Sequence, residues 1–82
     1  MPTVARFGRL RVVVYPNDHR PPHAHILGRG HEAIFVLNCP DGPLALRANY
    51  GFSLRELNGI EDHLQQLIGR ACQVWRHFHG YD

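Results

Sequence analysis

Pro21-Pro22-His23-Ala24-His25-Ile26-Leu27-Gly28-Arg29-Gly30-His31-Glu32-Ala33-Ile34-Phe35-Val36-Leu37-Asn38 is the stretch that decides the fold. Two apolar-rich runs flank Gly28-Arg29-Gly30, and glycine supplies the positive φ that a tight hairpin turn needs. Residues 23–27 and 31–38 therefore read as paired antiparallel strands. Strand alternation places Ala24 and Ile26 on the core side, so His23 and His25 project together from the opposite face. The second run is apolar on both sides, with Ala33, Phe35 and Leu37 on one and Ile34 and Val36 on the other. A strand of that kind is covered on two faces.

Upstream, residues 9–15 form a strand with Leu10, Val12 and Val14 inward and Arg9, Arg11, Val13 and Tyr15 outward. Residues 16–22 carry three prolines and the pair Asn17-Asp18, which excludes regular structure. Residues 1–7 are an edge strand or a lead-in. Downstream, residues 39–43 turn, residues 44–47 form a fourth short strand, and Asn49-Tyr50-Gly51 ends the sheet.

Beyond the sheet, Ser53 and Glu56 stand in the S-x-x-E spacing of a helix capping box, and Phe52 and Leu57 occupy the staple positions on either side. From there Leu57, Ile60, Leu64, Leu67, Ile68, Ala71, Trp75 and Phe78 recur at about 100° per residue along one stripe. One helix running to about His79 follows, with Gly80 as its stop and a kink near Asn58-Gly59. The expected architecture is α+β: a short antiparallel sheet of three or four strands packed on one long C-terminal helix. One helix covers one sheet face, so the open face displays Arg11, Val13, Tyr15, His23 and His25, and is expected to be covered by a second copy or a partner.

The chain has 82 residues, 44% hydrophobic and 20% charged, which is one globular domain over residues 1–82. A domain of this size buries only about 60–65% of its unfolded surface. All nine basic residues are Arg, and the net charge of +2 is too small to demand a nucleic-acid partner. No apolar run reaches the length of a membrane span, and no secretory leader pattern is present. Cys39 and Cys72 do not suggest a disulfide framework, so a reducing cytoplasm is the expected compartment.

Several of these segments resemble one family. Met-Pro-Thr-Val at the start, Tyr15, residues 17–25, Glu32-Ala33 with Phe35 and Leu37, Gly51-Phe52-Ser53 with Glu56-Leu57, and Trp75 with Phe78 and Gly80 are similar to the small bacterial domain-of-unknown-function family 4160. The Pro-Pro-His-x-His segment is the most specific part. The resemblance carries no settled activity. It implies a small bacterial protein, often encoded beside a gene of domain-of-unknown-function family 2442, an arrangement that suggests a toxin–antitoxin pair.

His19, His23 and His25 form the strongest chemical constellation. They are candidate catalytic residues, a general acid and base for phosphodiester cleavage. Arg11, Tyr15, Asp18 and Arg20 are candidates for phosphate or partner binding. No cofactor is required; the alternative is Zn²⁺ on the three histidines, although H-x-x-x-H-x-H matches no closed zinc template. A structural role, capping a turn or stacking on Tyr15, competes with both. Three functions are expected in turn: a toxin–antitoxin component acting through the open sheet face and the 17–25 loop, a small ribonuclease, and a nucleic-acid-binding module that also uses Arg6 and Arg9. The partner is a cognate small protein or a second copy, with nucleic acid as an alternative and no membrane.

Overall fold

The computed structural model describes residues 3–80. Five strands, β1 (Thr3–Phe7), β2 (Leu10–Val13), β3 (His23–Gly28), β4 (His31–Val36) and β5 (Ala45–Tyr50), precede two helices, α1 (Leu54–Gln66) and α2 (Ile68–His79). The strands form one antiparallel meander in the order β1-β2-β3-β4-β5. Met1 and Pro2 of the family-like start lie outside the described residues.

The central hairpin follows from its turn. Arg29 and Gly30 both take positive φ, 55° and 76°, which matches the right-handed twist of the strands they join. Gly28 pairs with His31, and the register runs back through Leu27 with Glu32 to His23 with Val36. Ala24, Ile26, Ala33 and Phe35 are buried in one cluster with Val12, Val14, Leu64, Ala71 and Trp75, so the helices lie on the predicted face. Glu56 at the start of α1 binds the turn, with its Oε2 2.8 Å from Arg29 Nη1.

Two corrections concern the elements. The sheet has five strands rather than three or four: residues 3–7 are a true edge strand, and the last strand runs through Tyr50 instead of stopping before Asn49. The Asn49 side chain makes the exit turn, accepting from the Phe52 N–H and donating to the Phe52 carbonyl. The helical region is two helices rather than one. Its capping box is present, with Ser53 Oγ accepting from the Glu56 N–H and the Glu56 carboxylate accepting from the Ser53 N–H. The axis breaks at Leu67, not at Asn58-Gly59. Leu67 has φ −103° and ψ 6°, its N–H turns back to the Leu64 carbonyl at 2.9 Å, and its own carbonyl accepts from Ala71. The apolar stripe stays in phase across the break, except that Phe78 at the end of α2 is exposed.

A third correction concerns the cysteines. Cys39, in the turn after β4, and Cys72, in α2, form a disulfide across 33 residues of chain. The Pro-rich turn folds over the helix, which brings the two sulfurs together. The cysteine count therefore no longer argues for a reducing compartment. Among the described residues no helix is long and apolar enough to cross a membrane.

The second face of the sheet is also less open than expected. Val13 is fully buried, and His23 is 6% exposed. The chain itself supplies the cover, because the loop after β2 folds back across β3.

Candidate functional site

The site begins with the alternation of β3. His25 pairs with Val13 on one side and Ile34 on the other, on the face away from the helices. Tyr15 leaves β2 beside it and sets its ring edge-on to the His25 imidazole, centroids 4.8 Å apart. The loop then carries Asp18 over both histidines. Asp18 Oδ2 lies 2.8 Å from His25 Nε2 and 3.1 Å from His23 Nε2. The remaining nitrogens are engaged as well: His25 Nδ1 lies 2.7 Å from Glu32 Oε2, and His23 Nδ1 donates to the Pro21 carbonyl at 2.7 Å. A single chain of contacts therefore runs Pro21–His23–Asp18–His25–Glu32.

Sequence reasoning placed His23 clear of the helices, and here the structure differs. The His23 ring sits 5.2 Å from the indole of Trp75 in α2 as well as 5.3 Å from His25. Being the first residue of its strand, His23 lies at the rim, where the end of α2 wraps past the sheet. His79 completes that wrap by stacking on Trp75 and donating from Nε2 to the Tyr15 carbonyl at 3.1 Å. The end of α2 thus fixes the start of the loop that carries Asp18.

An open groove of about 450 Å³ reaches this chain at Asp18 and His23. Its far wall is Ile34 with Arg47, Ala48 and Tyr50 of β5, and His19 stands at the rim. Arg47 owes its place to a bulge. Ile34 pairs with Ala48 but Phe35 pairs with Leu46, so Arg47 is the extra residue on β5. Bulges re-aim side chains in this way. Arg47 is exposed, as is the 61%-exposed Tyr50.

The candidate residues thus divide. His23 and His25 come together, joined by Asp18, which sequence reasoning had placed with the phosphate or partner contacts. His19 is exposed and borders the groove without joining the group whose ligating atoms converge, which among the described residues is Asp18, His23 and His25. Tyr15 packs on His25. Arg11 pairs with Leu27, toward the hairpin turn, and Arg20 is exposed in the loop. Glu32 and Arg47 were missed. The hairpin register carried a signal for Glu32, because it stands diagonally from His25 on the same face. No signal in the sequence marks the bulge at Arg47.

Comparison with known proteins agrees with the residue pattern. A family model described as Domain of unknown function (DUF4160) matches residues 10–76. No curated protein and no solved structure matches the chain. The chain belongs to this family of unknown function, and the matched span contains Asp18, His23, His25, Glu32 and Arg47.

Proposed function

We propose that this member of the family is a small phosphodiester-directed hydrolase, a ribonuclease, acting in the groove beside Asp18 and His23. The observation that carries the reading is one concave surface combining a buried imidazole and a half-buried carboxylate with an exposed guanidinium. Asp18 and His23 supply groups that can orient and deprotonate an attacking hydroxyl or water. Arg47 and the rim residue His19 suit a phosphate, and exposed Tyr50 offers a ring on which an unpaired base can stack. The test is cleavage of a labelled single-stranded RNA by protein purified in parallel as wild type, His23→Ala and Arg47→Ala. The expected result is a loss of roughly 10²-fold or more for His23→Ala and weaker RNA binding for Arg47→Ala. Wild-type protein that leaves the RNA intact, or a His23→Ala protein that cleaves equally well, overturns the reading.

A second reading is favoured by Leu46, 47% exposed, and Tyr50 on the outer strand β5. An apolar edge suits a protein partner, the cognate component of a toxin–antitoxin type pair or a second copy. Sedimentation alone and after co-expression with a protein of domain-of-unknown-function family 2442 tests it. A monomer that captures nothing contradicts it.

A further inference from the structure

We infer that Asp18, His23 and His25 form a binding site for one divalent first-row transition ion, with Glu32 and the Pro21 carbonyl orienting the two imidazoles. The inference concerns the same residues as the proposed hydrolase but does not depend on any substrate; with an ion bound, Asp18 and His23 are its ligands, and the acid–base role given to them above belongs to the ion-free protein.

It rests on which nitrogen of each ring carries hydrogen. A carbonyl oxygen only accepts, so His23 presents Nδ1–H to Pro21. An ionised carboxylate also only accepts, so His25 presents Nδ1–H to Glu32. When each ring is neutral its Nε2 carries the lone pair; Asp18 also only accepts, so the space between them is filled either by a second ring proton or by a cation. Both Nε2 atoms lie close to the same Asp18 oxygen, at 3.1 Å for His23 and 2.8 Å for His25, and that oxygen is itself electron-rich. Three electron-rich atoms converging on one point need positive charge between them, and one divalent cation meets the need of all three.

The surroundings match what such an ion requires. Histidines that bind metals hand their second N–H to a carboxylate or a backbone carbonyl, which fixes ring and tautomer; both kinds of partner are present here. The three ligating atoms lie within 4.8 Å of one another. Bonds of about 2.0–2.2 Å at tetrahedral angles set donors about 3.4 Å apart, so small side-chain shifts suffice. The side chains are 7%, 12% and 24% exposed for His23, His25 and Asp18, and the Trp75 and Tyr15 rings wall the imidazoles. Two imidazoles and one carboxylate favour zinc, iron or manganese over magnesium or calcium, which prefer all-oxygen sets. Because the groove reaches Asp18 and His23, the remaining coordination positions are open to solvent and to an incoming ligand.

The test uses the full chain, stripped with a chelator and titrated with Zn²⁺ by calorimetry in the absence of RNA. The expected result is one saturable equivalent. Asp18→Asn and His25→Gln should each weaken binding at least about 100-fold, and Glu32→Gln by roughly 10- to 100-fold. His63→Ala and His77→Ala, on exposed helix positions, should leave it unchanged. Asp18 lies in a loop, so circular dichroism can confirm that Asp18→Asn is folded even if the His25 variant is not. Wild type without a saturable equivalent, or a folded Asp18→Asn protein that binds as tightly as wild type, overturns the inference. Metal binding without RNA cleavage would retire the hydrolase alone, and metal-independent cleavage with no Zn²⁺ bound would retire the metal site alone.

Discussion

His25 and Asp18 lie seven residues apart in the chain, yet Nε2 of one stands 2.8 Å from Oδ2 of the other. That contact fastens a proline-stiffened loop to β3. The first consequence concerns stability. In the ion-free protein, Asp18→Ala removes the carboxylate that faces the Nε2 atoms of both His23 and His25 and so unties the loop from β3. The expected cost is about 1–3 kcal/mol in a urea unfolding series. Unchanged stability would mean that the contact contributes nothing to holding the loop.

Trp75 sits fully buried between His23 and the stacked ring of His79. Trp75→Ala should cost about 3–5 kcal/mol, a large share of the stability of so small a domain. Its indole N–H is buried with no hydrogen-bond partner among the described residues. Trp75→Phe removes that unpaired donor while keeping most of the ring, so its cost should be only about 1–2 kcal/mol. Equal losses for the two variants would contradict this.

The Cys39–Cys72 disulfide ties the turn after β4 to α2. Closing a loop of this length restricts the unfolded chain by about 3–4 kcal/mol in the chain-entropy description. The oxidised protein should show no free thiol on titration in denaturant, and reduction or Cys72→Ser should lower the denaturant midpoint accordingly. Two titratable thiols in protein purified without reductant would contradict the pairing.

Much of this architecture was legible from local rules. The capping box at Ser53 and Glu56 was, because both partners lie within one helical turn, and so was the hairpin at Gly28-Arg29-Gly30. The helix break at Leu67 was not. Leu64, Leu67, Ile68 and Ala71 keep the apolar stripe continuous, and no proline marks the change. Among the site residues, the juxtaposition of His23 and His25 followed from strand alternation, but the contact of His23 with Trp75 of α2 did not. Asp18's position between them depends on the path of a loop held down by Tyr15 and by the end of α2, which no periodicity encodes. The Cys39–Cys72 pair is hidden for a similar reason, since it needs the turn and the distant helix to be placed first.

Glu56 has an acid–base signature of its own. The hydrogen bond its carboxylate accepts from the Ser53 N–H holds its pKa below the ordinary value of 4.5, against the opposing effect of desolvation. A depressed folded value stabilises the fold fully above the unfolded value, and the contribution is lost as pH falls through the lower, folded value. Helix content should therefore decline more steeply below about pH 4.5 in wild type than in Glu56→Gln. Identical acid profiles would argue that the capping box does not anchor α1. Independently, Ser53→Ala should cost about 1 kcal/mol at neutral pH.

The most direct test of Asp18, His23 and His25 as one chemical centre is long-range ¹H–¹⁵N NMR of the labelled chain, recorded before and after one equivalent of Zn²⁺. The loaded protein should keep hydrogen on Nδ1 of His23 and His25, as the Pro21 and Glu32 contacts require. The Nε2 resonances of these two rings should move together, while those of His31, His63, His77 and His79 stay in place. Shifts confined to the exposed rings of His19, His63 and His77, or hydrogen found on Nε2 of His23 and His25 in the loaded state, would contradict the account.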